Sequence, residues 1–483
     1  VFDARIEAVL DAPAAIGTTG VIVPGLVDSH THPLETGLQA IFADVDGARS
    51  VDEVQQRLRS HRRVSTEHGM MLGFGLEPDK LRERRYPSRH DLDAVLPDVP
   101  VFVYRVDGHS AVVNTAGLQL LVAGWPAAKQ SGVDLDCSGQ PTGVLRGEAY
   151  ETASRVFKHR LLPGTLREGL RLAGEQAAAS GVTTIGALVG VEDNTEDEWQ
   201  VLLEGLAASA VSAVPYLQTW DVDVPRRFGL KQAGGCLLID GSFGSRTAAL
   251  AKPYSDAPGN SGAGYVSDKQ LLALLRAAGQ TGLQTAVHAI GDRAVEQVVR
   301  CHEQLAVPGS PNPLRHRIEH AELLDDSLID RIARLGLVLG VQPSFEAEWG
   351  GPDRMYRQRL GERWRNTNPY RRLLERGVVL AGGSDAPITP IDPVSGIRAA
   401  LERPNPTERV SGEQALAMFT SAAAFALNRE LVCGSIEAGK DADLTVLSAD
   451  PRTAADSRVV ATFRGGTCTY KDETLTEYLK LEV

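Results

Sequence analysis

The segment Val27-Asp-Ser-His-Thr-His32 carries two histidines two positions apart. It follows the apolar run Val21-Ile-Val-Pro-Gly-Leu26, which reads as a buried strand, so His30 and His32 fall where that strand ends. Side chains alternate along a strand, and residues two apart point to the same side. The two imidazoles can therefore aim at one point, and neutral imidazole is the commonest protein ligand for a divalent transition metal. Two converging nitrogens make half of a four-coordinate site. A His-X-His also decorates ordinary loops, so its meaning depends on what lies downstream.

Further candidates sit on strand-like runs. Cys236 opens Cys236-Leu-Leu-Ile-Asp-Gly241, His288 lies in Gln284-Thr-Ala-Val-His-Ala-Ile290, His320 in Arg317-Ile-Glu-His-Ala-Glu322, and Asp385 ends Val378-Val-Leu-Ala-Gly-Gly-Ser-Asp385. With Val21–Leu26, Gly181–Leu188, Ala213–Trp220 and Leu337–Pro343 these runs number eight. Most are separated by segments with apolar residues at helical spacing, such as Leu271, Leu272, Leu274 and Leu275. Gly181, Gly336 and Gly377 stand where left-handed helix C-caps are expected. Eight buried strands alternating with helices predict a closed (β/α)8 TIM-like barrel, whose active site lies at the C-terminal ends of the strands. A doubly wound open sheet is the alternative, and no glycine-rich fingerprint follows the first strand to favour it. In a closed barrel strands eight and one are neighbours. The four histidines, Cys236 and Asp385 then converge on one rim as a metal site. Taken singly, His288 and His320 read as core histidines and Asp385 as a helix N-cap.

The barrel does not account for the whole chain. Residues of about 35–165 contain their own strand-like runs, Met71–Gly75 and Val101–Arg105, and read as a subdomain inserted over the barrel mouth after strand one. The barrel, with this insertion, is placed at residues 21–429. A helix over residues 411–428 opens with a capping box, Ser411 and Gln414. Ala4–Leu10, Gly439–Leu447 and Val459–Phe463 read as strands, which predicts a small β-sandwich composed of both chain ends, residues 1–20 and 430–483.

Composition narrows the partners. The chain has 483 residues, 43% of them apolar and 23% charged, as in a globular protein with a large core. A net charge of −12 argues against a nucleic-acid surface. No apolar run reaches membrane-spanning length. Val1-Phe-Asp-Ala-Arg5 lacks the pattern of a signal peptide. Five scattered cysteines, Cys137, Cys236, Cys301, Cys433 and Cys468, predict free thiols in a reducing cytoplasm. A small-molecule substrate is the expected partner, and self-association is left open.

Five ordered motifs carry a resemblance. Pro24-Gly-Leu-Val-Asp-Ser-His-Thr-His32, Val287-His-Ala-Ile-Gly-Asp-Arg-Ala294, Ile318-Glu-His-Ala321, Gly383-Ser-Asp-Ala-Pro387 and the C-terminal Gly434-Ser-Ile-Glu-Ala-Gly-Lys-Asp-Ala-Asp-Leu444 resemble the amidohydrolase superfamily, in particular its YtcJ-like, amidohydrolase-3 branch. Asp107–Ala116 and Pro141–Arg146 are similar to segments of that branch's insertion. The resemblance implies a metal-dependent hydrolase in which His30, His32, His288, His320 and Asp385 match ligand or catalytic positions. It also exposes a departure, since Cys236 stands where the branch usually has a lysine. Cys236 is either a thiolate ligand able to bridge two ions or a bystander. In the latter case one ion sits on His30, His32, His288 and Asp385, and His320 is free to polarise the substrate.

The implied chemistry is hydrolysis of a C–N bond in an amide, cyclic amide, formamide or carbamate by metal-bound hydroxide, with one or two divalent ions, Zn2+ the expected one. Asp385 is the expected proton shuttle, and His320 or the metal the stabiliser of the oxyanion. His109 and Arg246 are candidates for substrate contact, with Glu148 behind them because Arg146-Gly-Glu148 departs from the family spacing. Trp349, Trp364 and Tyr370 either line a pocket wall or pack the loop after strand seven. Deamination of an amino-heterocycle uses the same water, and a non-hydrolytic isomerase or regulatory metal protein is the alternative of another class.

Overall fold

The structure, a computed structural model, describes residues 4–7, 20–122, 132–306 and 312–473. These form two compact units: the described parts of Val1–Pro33, Leu170–Asp193 and Leu202–Val483, and those of Leu34–Gly169 and Asn194–Val201.

In the first unit, seven of the eight expected strand runs contribute a parallel strand, and the remaining parallel strand, Leu26–Thr31, begins where the first expected run ends. In chain order they are Leu26–Thr31, Val182–Val189, Ser212–Leu217, Gln232–Leu238, Gln284–Ala289, Arg317–His320, Val338–Val341 and Leu380–Gly382, referred to below as strands one to eight. Strands one, two and five are buried at every residue, polar side chains included. Helices between them carry one apolar face. Asp326–Leu335, for instance, buries Leu328, Ile329 and Ile332 and stops at Gly336, whose φ of +64° suits a residue without Cβ.

The ladders differ from the expected closed barrel. Strands one to three form one parallel sheet and strands four to eight another, each in chain order. Among the described residues no ladder joins strand three to four or eight to one. At the second seam, two backbone hydrogen bonds just beyond the strand ends, Asp385 N to His30 O and His32 N to Ala386 O, both 2.8 Å, take the place of a ladder. Strand eight has three residues, all of them paired to strand seven. A single apolar cluster nevertheless draws on both sheets, joining Val27, Leu188, Val214 and Tyr216 to Ala286, Val338 and Ala381.

Two expectations are corrected in detail. Val21–Pro24 is not the start of strand one. It leaves at Gly25 to pair antiparallel with Leu444–Leu447 in a four-stranded sheet completed by Val459–Arg464 and Thr467–Lys471. Alternating burial there, with Ile22 half exposed, fits a sheet solvated on one face. Of the run expected at residues 4–10, Arg5 makes one antiparallel bridge to Asp441, and residues 8–10 lie outside the described residues. The helix expected over 411–428 has its capping box at Ser411 and Gln414 but breaks into Gly412–Met418 and Ser421–Ala426. Phe419 is diverted at the break, its carbonyl accepting from Val27 N at 2.8 Å.

The second unit is built on a six-stranded mixed sheet in the order Ala43–Asp44, Met71–Leu76, Val101–Arg105, Ser110–Val113, Pro141–Arg146 and Val133–Leu135. The second and third were expected, and Ala43–Asp44 and Val133–Leu135 are too short to show a period. Phe102 packs on Phe157 and Tyr104 at its centre. All five cysteines are free thiols. No helix among the described residues is long and apolar enough to cross a membrane.

Candidate metal centre

The first unit brings His30, His32, Cys236, His288, His320 and Asp385 to one place. The Nε2 atoms of His30 and His32 each lie 3.1 Å from Asp385 Oδ1. Cys236 Sγ is 3.5 Å from His288 Nδ1 and 3.9 Å from His320 Nε2. Three sets of ligand atoms lie mutually within 4.8 Å: His30, His32 and Cys236; Cys236, His288 and His320; and His30, His320 and Asp385.

Local backbone explains how each side chain arrives. Asp28, fully buried, accepts from His30 N at 3.2 Å and from Ser384 N at 3.0 Å, tying the ends of strands one and eight together. A Cβ on Gly383 would stand 2.7 Å from His30 N, so only glycine permits this approach. His320 and Asp385 have φ of +73° and +55°, the left-handed region that non-glycine residues enter at a cost and mostly at functional sites. Strand four bulges between Gly234 and Leu237, and the bulge presents Cys236 to the histidines rather than leaving it in the ladder.

Three of the four rings are oriented by a bond on their far side. His30 Nδ1 donates to Glu319 Oε2 at 2.6 Å, His320 Nδ1 to Gln342 Oε1 at 2.8 Å, and His288 Nε2 to Gly241 O at 3.2 Å. These partners accept only, so His30 Nε2, His320 Nε2 and His288 Nδ1 turn their lone pairs toward the cluster, as ligating imidazoles do. Asp240, buried beside His288, accepts three backbone N–H groups, from Ala249, Ile290 and Gly291. The residues missed in the sequence are these outer partners: Glu319, Gln342, Asp28 and Asp240. Arg317 and Glu319 were legible as opposite charges two apart on a buried strand, whereas Gln342 and Asp28 carry no such signal.

Electrostatics match a cation site. Burial opposes charge on His30, but Asp385 and its other partners outweigh it and hold its pKa well above the ordinary value. His32 and His288 are pushed up to about 9 against burial, the first by Asp385 and Cys236, the second by Cys236. Burial works against the Cys236 thiolate too, yet the imidazoles, His288 foremost, hold its pKa well below the usual thiol range. Asp385 is likewise held down by His30 and His32 despite burial. The thiol and carboxyl are thus drawn toward their anionic forms by the imidazoles around them, and a divalent ion would supply that positive charge with the rings neutral. The donor set fits such an ion further because His30 Nε2 and Asp385 Oδ1, both buried, have no well-formed hydrogen bond.

The remaining candidates are placed elsewhere. Arg246 directs its guanidinium to Asp256 at 3.2 and 2.9 Å, a carboxylate also bound by Arg359 at 2.5 Å. His109 belongs to the second unit, in the turn between Val101–Arg105 and Ser110–Val113, where its N–H donates to Asp107. Glu148, exposed, is in the first turn of the helix Gly147–Lys158 of that unit. Trp364 packs with Phe243, Tyr254 and Tyr356, Tyr370 lies in the main core, and Trp349 rests against Phe345, so these aromatics pack the loop after strand seven. Phe345 in turn stacks on His320 at 6.1 Å between ring centres.

Parallel strands alternating with helices and a cluster of imidazole, thiol and carboxylate ligands at their C-terminal ends define an α/β protein with a metal-type centre. Residues 19–470 match the Amidohydrolase family, to which the chain belongs. It is 31% identical to YtcJ of Bacillus subtilis (strain 168), over 89% of this chain and 84% of that one. It is 25% identical to the N-substituted formamide deformylase of Arthrobacter pascens, over 97% of this chain and 92% of the relative. Among solved structures it resembles an uncharacterized metal-dependent hydrolase from Pyrococcus horikoshii OT3, with a TM-score of 0.72 and 28% identity over 90% of this chain and 87% of the other.

Proposed function

We propose that this protein is a metal-dependent hydrolase of a C–N bond, of the amide, cyclic amide, formamide or carbamate class, on a (β/α)8 scaffold. The observation that carries the reading is the approach of His30 Nε2 and His32 Nε2 each to 3.1 Å from Asp385 Oδ1, His30 and Asp385 lacking a satisfying hydrogen bond at those atoms. The formamide chemistry of the Arthrobacter relative supports the choice of bond. His30, His32, Cys236, His288, His320 and Asp385 would hold the metal; His30, Cys236 and His320 each belong to two of the three ligand sets, and of these a thiolate is the donor able to bridge two ions. A divalent ion bound there, Zn2+ by the thiolate and imidazole donors, acidifies water toward neutral pH and polarises a carbonyl.

The chain's own residues supply the rest. Asp385, fixed through its backbone N–H to His30 O, accepts the proton of the attacking water on its carboxylate. The same carboxyl then returns that proton to the leaving nitrogen, without which an amine is a poor leaving group. His32, 17% exposed at its side chain, marks the open side of the otherwise buried cluster, from which substrate enters. Phe345, stacked on His320, excludes water from the opposite flank.

The test is twofold. Metal analysis is expected to find two Zn2+ per chain in the wild type and no more than one in Cys236→Ala; equal content in both, with equal activity, removes the thiolate from the site and leaves one ion with His320 free. A panel of N-substituted formamides, cyclic amides and carbamates, offered to the Zn2+-loaded protein, is expected to release amine. A fully loaded protein that turns over none of them overturns the reading.

A further inference from the structure

Behind His30 runs a chain of buried polar groups that the proposed reaction does not use. Glu319 accepts from His30 Nδ1 at 2.6 Å and from Arg317 at 2.8 and 2.9 Å, and the pair is about 1% exposed. Arg317 also donates to Ser29 O at 3.0 Å and to Tyr216 Oη at 3.2 Å. Tyr216 donates in turn to Gln284 Oε1 at 2.6 Å, and Gln284 Nε2 bonds the carbonyls of Arg315 and Ala426. Strand seven leaves room for this arrangement: a Cβ on Gly340 would lie 2.0 Å from Glu319 Oε2 and 2.8 Å from an Arg317 nitrogen. Interiors of such strand assemblies are ordinarily filled by branched apolar side chains, and a buried ion pair is no stronger as a stabiliser than an apolar pair of the same volume. Its placement therefore calls for another reason.

We infer that Glu319, clamped by Arg317, is a positioning residue: it fixes the tautomer and tilt of His30 so that Nε2 faces the cluster, and thereby sets the affinity for the ion on His30 and His32. The inference rests on the metal-centre reading above. His30 is singled out by the closeness of its carboxylate, 2.6 Å from Nδ1, because His320 Nδ1 bonds an amide oxygen and His288 Nε2 bonds a backbone carbonyl at 3.2 Å with the Asp240 carboxylate farther off at 3.6 Å. A carboxylate on Nδ1–H makes Nε2 a stronger donor, and outer partners of this kind change metal affinity by about 10–100-fold.

The experiment is chelator competition with Zn2+ on the full chain. The double variant Arg317→Met, Glu319→Leu removes both charges together, so no buried charge is stranded. It is expected to melt cooperatively near the wild type and to lose about 10–100-fold in affinity for one ion. Arg317→Met, Glu319→Gln, whose amide oxygen can still accept from Nδ1–H, is expected to recover part of that loss. A purely structural pair would move the melting temperature and leave the affinity alone. A folded double variant with wild-type affinity overturns the positioning role and leaves the hydrolase reading standing. A wild type that binds no ion overturns both. If the variants fail to fold, a crystal structure of the Zn2+-loaded wild type decides: an ion on His30 Nε2 with Glu319 on Nδ1 upholds the inference, and an ion on Nδ1 ends it.

Discussion

Asp385 has one oxygen 3.1 Å from two imidazoles and a backbone held at φ +55°, a combination suited to a group that must face a cation and still move a proton. Asp385→Asn keeps shape and removes basicity. It is expected to lower kcat by about 10²–10⁴-fold, the usual contribution of a positioned acid–base group, with a much smaller change in KM. Steady-state kinetics beside metal analysis check this, and a variant that keeps its metal and its kcat denies Asp385 the shuttle role. That His30 and His32 share a face was legible from strand alternation, but their meaning as ligands came only with the residues downstream. Cys236 was legible only as a position. That its sulfur lies 3.5 Å from His288 depends on the bulge in strand four, which no pattern of apolar residues announces.

Among the elements, the helix Pro393–Leu401 contains Gly396, where alanine ordinarily gains about 1 kcal/mol of helix propensity. Here an added Cβ would come within 2.4 Å of the Phe419 ring, buried at the break between the two C-terminal helices. Gly396→Ala is therefore expected to destabilise, by about 1–3 kcal/mol, because overpacking a rigid ring outweighs propensity. Denaturant melts of the two proteins check the sign. His302, on the helix Asp292–Leu305, is buried with His316 5.3 Å away between ring centres. Burial first, and then His316, push His302 down to about 3, and burial pushes His316 to about 4. The unfolded rings titrate near 6.5, so between about 6.5 and 4 the unfolded chain binds more protons and stability falls as the pH is lowered. Melting temperatures from pH 7 to 4.5 are expected to fall less steeply for His302→Leu than for the wild type. Equal slopes would mean that His302 charges freely in the folded state.

For the whole molecule, the candidate metal centre gathers groups on or just beyond strands one, four, five, six and eight, so an ion bound there would link segments from residue 30 to residue 385. An ion held at about a thousand times its dissociation constant adds roughly 4 kcal/mol to stability. Stripping metal with a chelator is expected to lower the melting temperature by several degrees, and added Zn2+ to restore it. Indistinguishable melts would show that the cluster closes on protons alone. The sequence by itself determined seven of the eight parallel strands and their order, the helices between most of them, and which residue types stand near their ends. Those follow from periodicity, glycine stops and motif spacing, all of which are local. Only the tertiary structure decided that Val21–Pro24 leaves strand one for the terminal sheet, that the 411–428 segment breaks at Phe419, and that the strands pair as three and five. It also decided which oxygen or amide stands behind each imidazole. Such choices are settled by contacts between residues hundreds of positions apart, such as Val27 with Phe419 and His30 with Glu319, where one partner's pattern carries no trace of the other.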